Sequence, residues 1–169
     1  MNRDELLQNY YQKIYKLALY QLKDEQEAED ITHDIFFKVL NSLDTFQSKS
    51  EIYTWIYRIA LNTIRNYLRR KKIVKFISFE EDPGDSSKFL TDPGKDPADQ
   101  NEAEQEKKLK LRLLDEALQK LSEREKTAFY FFHFEKLKQK KIAELMETSV
   151  SAVESLIFKS KKKIRKYIA

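Results

Sequence analysis

The sequence predicts an all-α protein made of two small helical domains joined by an acidic, flexible linker. Apolar residues recur at helical spacing along most of the 169 residues, and no segment alternates apolar and polar residues as a strand does. Both glycines and all three prolines lie between residues 83 and 97, where they interrupt helices. We therefore predict domains at 1–72 and 106–169 and a linker at 73–105. A long surface loop within a single domain is the alternative.

The formal net charge of +4 is unevenly divided along the chain. Residues 1–72 carry 12 basic and 10 acidic side chains, residues 73–105 carry 3 and 9, and residues 106–169 carry 17 and 9. Blocks of opposite sign indicate that different segments have different partners.

The composition excludes several classes of protein. With no cysteine, the chain has no disulfide and no zinc site of the cysteine type, and its two histidines, His33 and His133, argue against a histidine-built metal site. The N-terminus lacks the apolar core of a signal peptide, and the longest apolar stretch, at about 128–134, is far shorter than the ~20 residues of a membrane span. We therefore expect a cytoplasmic protein with no metal, no cofactor and no membrane insertion.

Three helices are predicted in the N-terminal domain. The first covers about 3–22. The second follows Asp24, whose side chain suits an N-cap, and ends near residue 42. The third follows Ser50 and ends near residue 72.

Four helices are predicted in the C-terminal domain. One covers about 102–120, and Ser122 opens the next, with Glu125 at the spacing of a capping box. A break then separates a short helix at 142–146 from a long basic helix at 150–166. This is the layout of a helix-turn-helix, which places its second helix in the DNA major groove.

The second helix has an outer face that suits a protein partner. The residues predicted to point outward are Asp30, His33, Asp34, Phe37 and Asn41. An exposed aromatic ring beside two carboxylates is typical of a binding surface. The alternative is that Phe37 packs on a neighbouring helix while the acids favour the helix N-terminus. Because no third ligand or nucleophile accompanies Asp30 and Asp34, we do not expect them to be catalytic.

The third helix carries a basic face opposite its apolar one. Between residues 58 and 72 the sequence has six basic residues and no acidic one. Such a face attracts phosphate, and Asn and Arg side chains also read base edges; a solvated face is the alternative. The candidate residues are Arg58, Asn62, Arg65 and Arg69.

The loop before the third helix is a second candidate for nucleic-acid contact. Aromatic side chains beside a basic face can stack on unpaired bases. The loop residues concerned are Phe46, Gln47, Ser48, Lys49 and Ser50. The alternative, favoured for Trp55, is that Phe46 and Trp55 fill the small core.

The last helix has a polar and basic face that suits duplex DNA. Its candidate residues are Ser151, Ser155, Phe158, Lys159, Lys162 and Lys166. Early residues of a recognition helix meet bases, whereas later lysines meet phosphates. A solvated basic helix is again the alternative.

Together these stretches resemble a bacterial sigma factor of the extracytoplasmic-function class, within the sigma-70 family. The resemblance covers nearly the whole chain except the linker. The matching residues are Ala28, Glu29, Asp30 and Phe36; Phe46, Trp55, Ile56, Ile59, Ala60, Asn62, Arg69 and Arg70; Ala117, Leu118, Leu121, Ser122 and Glu123; and Ile142, Ala143, Glu144, Leu145, Met146, Ser149, Val150 and Val153.

The resemblance implies a role for each face. In that family the second helix docks on the β′ clamp helices of core RNA polymerase, the third helix and its loop recognise and open the −10 element, and the C-terminal domain reads the −35 element and contacts the β flap. The outer face of the second helix, the basic face of the third and the basic face of the last would take these roles here. A monomer is expected when the protein is free, and the resemblance leaves open an anti-sigma factor as a further partner.

Several positions depart from the family's usual residues. Lys141 stands where an acidic residue usually precedes the Ile-Ala pair, and Glu147 replaces the customary turn glycine. Glu154 and Leu156 occupy positions that are often basic.

The leading hypothesis is a promoter-specificity subunit that performs no covalent chemistry and acts only with core RNA polymerase. A stand-alone helix-turn-helix regulator that dimerises on a palindrome is the alternative, although the sequence offers no obvious dimer helix. An enzyme acting on nucleic acid is the third hypothesis, but no metal-binding or nucleophile constellation is visible.

Overall fold

The computed structural model describes residues 2–47, 49–81 and 102–168, and within these ranges it is built from α-helices with no strand. The helices are α1 (Arg3–Leu22), α2 (Glu25–Ser42), α3 (Ile52–Glu81), α4 (Glu102–Gln119), α5 (Glu123–His133), α6 (Gln139–Leu145) and α7 (Val150–Ile168). A short 3-10 turn, Leu43–Thr45, follows α2. The predicted all-α fold is confirmed.

Side-chain caps begin two of the helices as predicted. The Asp24 carboxylate accepts a hydrogen bond from the Glu27 amide at 2.8 Å, which starts α2. At α5, the Ser122 hydroxyl accepts from the Glu125 amide at 3.3 Å, and the Glu125 carboxylate accepts from the Ser122 amide at 2.8 Å. Both donors of this reciprocal pair would otherwise be unsatisfied at the helix start.

Helix α3 is longer than predicted. It runs to Glu81, so the expected end near residue 72 was nine residues too early. The reason is the absence of a helix breaker, because the first proline of the sequence is Pro83. At the other side of the predicted linker, α4 begins at Glu102. The part of the predicted linker at 82–101 lies outside the described residues.

The apolar faces of α2 and α7 are largely buried. Of the α2 face, all four apolar residues are buried, namely Ala28, Ile31, Ile35 and Val39. On α7, Val153, Ile157 and Ile164 are buried, but Val150 is 40% exposed. Val150 is more exposed than the other three because it opens α7 beside the turn.

The two halves pack against each other through α3. Tyr57 of α3 and Phe131 of α5 are both fully buried, and their ring centroids lie 5.6 Å apart. Leu61 and Ile64 extend the buried side of α3. The burial of Tyr57 against the C-terminal half was not predicted, because helical periodicity does not show which partner covers an apolar side.

Polar contacts also join the halves. The Gln21 amide donates to the Thr127 hydroxyl at 3.0 Å. Nearby, the Lys23 ammonium lies 2.7 Å from the Asp115 carboxylate. These pairs lie between α1 and the α4–α5 region, so the C-terminal half contacts the N-terminal bundle on two of its helices.

Replacing Ser122 with alanine should destabilise the protein by about 1 kcal/mol, because the first turn of α5 loses its capping hydroxyl. Urea unfolding followed by circular dichroism measures this change. Ser122→Thr keeps the hydroxyl and should stay close to the wild-type midpoint. Equal midpoints for the alanine variant and the wild type would contradict a stabilising cap.

Candidate nucleic-acid and partner interfaces

The outer face of α2 is open to solvent. The five residues predicted to form it are all exposed: Asp30, His33, Asp34, Phe37 and Asn41. The Phe37 ring is 67% exposed, so it does not pack on a neighbouring helix as the alternative required. The Asp34 carboxylate pairs with Lys38 one turn along at 2.7 Å, and His33 Nε2 lies 3.0 Å from the Tyr11 hydroxyl. The face thus presents an aromatic ring in acidic surroundings.

The loop before α3 is partly anchored by its aromatic residue. The Phe46 and Trp55 rings lie 4.9 Å apart, and both are half-buried. Gln47 and Lys49 are exposed, while Ser48 lies outside the described residues. The structure therefore favours a packing role for Phe46 with Trp55, and it leaves the polar side chains of the loop available for contact.

The basic face of α3 is divided by its contact with the C-terminal half. Asn62, Arg65 and Arg69 are exposed, as predicted. Arg58 instead donates from Nη2 to the Glu144 backbone carbonyl at 2.9 Å. Its Nε lies 4.0 Å from the Glu147 carboxylate, and its side chain is 35% exposed. The four residues thus share a helix face, but one of them is engaged by the helix-turn-helix.

Lys141 contacts residues in the N-terminal half that were not predicted from the sequence. Its ammonium donates to Glu51 Oε2 and to Thr54 Oγ1, both at 2.7 Å. Burial disfavours its charge, but hydrogen bonds to the carboxylates of Glu51 and Glu144 outweigh that effect and raise the pKa of Lys141. The only signal in the sequence was the unusual basic residue at this position.

The helix-turn-helix is formed by α6, a tight turn and α7. Glu147 has φ 52°, which is the left-handed conformation that glycine adopts without steric cost. The Thr148 amide then donates to the Ala143 carbonyl at 3.0 Å, and the Ser149 hydroxyl accepts from the Ala152 amide at 3.1 Å. The predicted turn therefore forms with a glutamate where the family usually has glycine.

The polar face of α7 is open to solvent along its length. The residues predicted to contact DNA are all exposed: Ser151, Ser155, Phe158, Lys159 and Lys162. The Phe158 ring is 68% exposed. On the opposite side of α7, the Lys163 ammonium pairs with the Glu125 carboxylate at 2.7 Å, and the Ser160 hydroxyl donates to the Glu125 backbone carbonyl at 3.3 Å. These contacts hold α7 on α5.

Within the described residues, no group of three His, Asp or Glu side chains is placed to hold a metal ion. None of the helices described is both long enough and apolar enough to cross a membrane.

Each half of the chain matches a known protein family region. Sigma-70 region 2 matches residues 6–73, and sigma-70 region 4 matches residues 111–164. The chain is 32% identical to the RNA polymerase sigma-H factor of Pseudomonas aeruginosa, over 96% of this chain and 84% of that protein. It is 29% identical to the extracytoplasmic-function sigma-E factor of Haemophilus influenzae, over 96% of this chain and 86% of that protein.

The helical fold and the matches to regions 2 and 4 therefore identify a transcription-initiation factor. The chain belongs to the sigma-70 family, in the extracytoplasmic-function class, and it is a promoter-specificity factor for RNA polymerase. Because the chain matches both sigma regions, the alternative hypothesis of a stand-alone helix-turn-helix regulator is not favoured.

Two solved structures share the fold. One is the sigma factor RpoE in complex with the anti-sigma factor NepR from Bartonella quintana, with a TM-score of 0.68 and 13% identity over 98% of this chain and 95% of that one. The other is CnrH in complex with the cytosolic domain of CnrY, with a TM-score of 0.66 and 19% identity over 97% of this chain and 85% of that one.

Replacing Glu147 with glycine should give a protein about 1 kcal/mol more stable than the Glu147→Ala variant, because only glycine adopts this φ without a Cβ clash. Both variants lose the same carboxylate, so alanine is the matched control. Urea unfolding midpoints provide the comparison. Identical midpoints would show that the turn carries no backbone strain.

Proposed function

We propose that the exposed faces of α2, α3 and α7 have separate roles in transcription initiation. Residues 1–72 form the unit that binds core polymerase and the −10 element, residues 106–169 form the unit that reads the −35 element, and residues 73–105 connect them. The observation that carries this assignment is the simultaneous exposure of an acidic, aromatic face on α2 and a basic face on α7.

The α2 face is the proposed docking site for the β′ clamp helices. Phe37 would supply an apolar anchor, since a single exposed ring that becomes buried contributes much of the energy of an interface. Asp30 and Asp34 would provide electrostatic complementarity to a basic partner surface. Because the ring is already exposed, docking needs no rearrangement of α2.

The α3 face and its preceding loop are proposed to contact the opened −10 element. Asn62, Arg65 and Arg69 are exposed along one side of the helix and would follow the strand backbone. Extraction of a base from the stack costs a few kcal/mol, which these contacts would offset. Arg58 joins this set once its bond to the Glu144 carbonyl is broken.

The α7 face is proposed to read the −35 element in the major groove. Ser155, Phe158 and Lys159 lie near its middle and are exposed, so they suit base edges and a thymine methyl group. Lys162 and Lys166 lie further along and suit phosphates. The region 4 unit would also contact the β flap.

The protein is proposed to act without catalysing a covalent step, as a cytoplasmic monomer that joins core polymerase. An anti-sigma factor is a further proposed partner, since the similar RpoE structure was solved with one.

Phe37→Ala should weaken binding to core polymerase at least about 10-fold, as expected for an interface anchor worth about 1.4 kcal/mol or more. Asp34→Lys should have a similar effect through charge reversal. Glu25→Ala, on another side of α2, is the control and should bind normally. Affinity is measured with purified bacterial core enzyme, and normal binding by both Phe37→Ala and Asp34→Lys would reject this docking face.

Lys159→Ala should cost about 1–3 kcal/mol in holoenzyme binding at the preferred −35 sequence and much less at unrelated sequences, if the side chain contacts a base. The test uses duplexes selected from a library randomised at the −35 element. Lys166→Ala, a proposed phosphate contact, should weaken all duplexes equally. A uniform loss for Lys159→Ala as well would reassign this lysine to the backbone.

A further inference from the structure

The helix that carries the proposed −35 contacts contains a single acidic residue. Helix α7 has six lysine or arginine residues, and Glu154 is its one carboxylate. The Glu154 side chain is exposed, and the exposed Phe158 ring follows it one turn along the helix. Because this position is often basic in the family, the charge at this point of the helix is reversed in the present chain.

The Glu154 carboxylate is not used by the fold. Among the described residues it has no ion pair and no side-chain hydrogen bond. Its own helix supplies no cation at the spacings that would allow a pair, since Val150 and Ser151 precede it by one turn and Ile157 and Phe158 follow it. The carboxylate is therefore free to accept a hydrogen bond from a partner.

Stabilisation of the helix start does not explain the residue either. The first turn of α7 contains no acidic residue, and the Ser149 hydroxyl already caps it by accepting from the Ala152 amide at 3.1 Å. Glu154 is the fifth residue of the helix, and the favourable effect of the helix dipole on a carboxylate falls off within the first turn.

Glu154 lies in the part of α7 that is expected to meet base edges. Together with Phe158, Lys161 and Arg165 it forms one row along the helix, because these residues are spaced by four, three and four positions. The carboxylate and the ring occupy the first half of the row, and the two cations occupy the second half. Early residues of a recognition helix meet bases, and later basic residues meet phosphates. The charge pattern of this row fits that arrangement.

A carboxylate that enters the major groove requires a hydrogen-bond donor, because it loses water there and the phosphates on both sides repel it. Guanine and thymine present acceptors in the groove, namely N7 and O6 of guanine and O4 of thymine. Adenine presents an amino donor beside its N7 acceptor, which opposes a group that can only accept. Cytosine presents the amino donor alone, so it is the base that best suits Glu154.

We propose that Glu154 is a specificity-determining residue of the −35 contact, where its carboxylate accepts a hydrogen bond from the amino group of a cytosine. This inference rests on the proposed role of α7 in reading the −35 element. It gives the chain a different −35 preference from relatives with a basic residue here, because arginine and lysine favour guanine. Phe158 lies about 6 Å further along the helix, which places its thymine about one or two base pairs from the cytosine.

The test compares the base preference of wild-type and variant holoenzymes. The full chain is assembled with purified bacterial core RNA polymerase, and duplexes are selected from a library randomised across both promoter elements. Wild type should favour cytosine about 10-fold or more at one −35 position when all four base pairs are compared there. Glu154→Gln should change that preference to adenine, because a glutamine amide both donates and accepts and so matches N7 and the amino group of adenine.

Two further variants separate base reading from a general effect of charge. Glu154→Ala should lose the preference at this one position and keep the preferences at the rest of the −35 element. Glu116→Gln removes the same charge from an exposed position of α4 and should still favour cytosine. Circular dichroism should show wild-type helix content for all three variants, since neither carboxylate caps a helix.

An unchanged preference for cytosine in Glu154→Gln and Glu154→Ala would overturn the role of Glu154. An equal gain in affinity for every duplex would also overturn it, because the carboxylate would then only repel phosphates. Either result leaves the proposed role of α7 in place as long as Lys159→Ala still reduces binding selectively. If the wild-type holoenzyme enriches no sequence at the −35 element, the proposed role of α7 is itself overturned, and the role of Glu154 with it.

Discussion

The packing of α3 on both of its apolar sides is the constraint on which the structure depends. One side, with Ile56 and Ala60, is buried in the core, while Tyr57 on the neighbouring side meets Phe131 of the C-terminal half. The polar side chains of α3 occupy the remaining strip of its surface. The position of every basic residue on α3 is therefore set by two packing interfaces, and this is why Arg58 differs from Arg65 despite identical chemistry.

Local features of the fold were predictable, whereas long-range ones were not. The caps at Asp24 and Ser122 depend on residues within one turn, so the sequence shows them directly. The burial of Tyr57 depends on a partner more than 70 residues away, and helical periodicity identifies an apolar side without saying what covers it. Lys141 was recognised as unusual, but its partner Glu51 lies 90 residues away and has no local signature.

Two exposed phenylalanine rings lie in surroundings of opposite charge. Phe37 on α2 and Phe158 on α7 are 67% and 68% exposed, each on an otherwise polar face. Carboxylates flank the first, and lysines flank the second. Scattered apolar residues are normal on protein surfaces, but Phe37 lies beside Asp30 and Asp34, whereas Phe158 lies at the edge of a face that carries Lys159 and Lys162. In the proposed function, the charge of each face selects the class of partner, and the ring supplies the apolar contact.

The length of α3 also sets the reach of the molecule. The twenty residues between Glu81 and Glu102 span at most about 70 Å when extended. The helical residues at 73–81 and 102–105 add only about 20 Å, because a helix rises about 1.5 Å per residue. The total of about 90 Å is therefore an upper limit on the distance that residues 73–105 can span. Extending either helix further into the connection would lower this limit, so the ends of α3 and α4 determine how far apart residues 72 and 106 can lie.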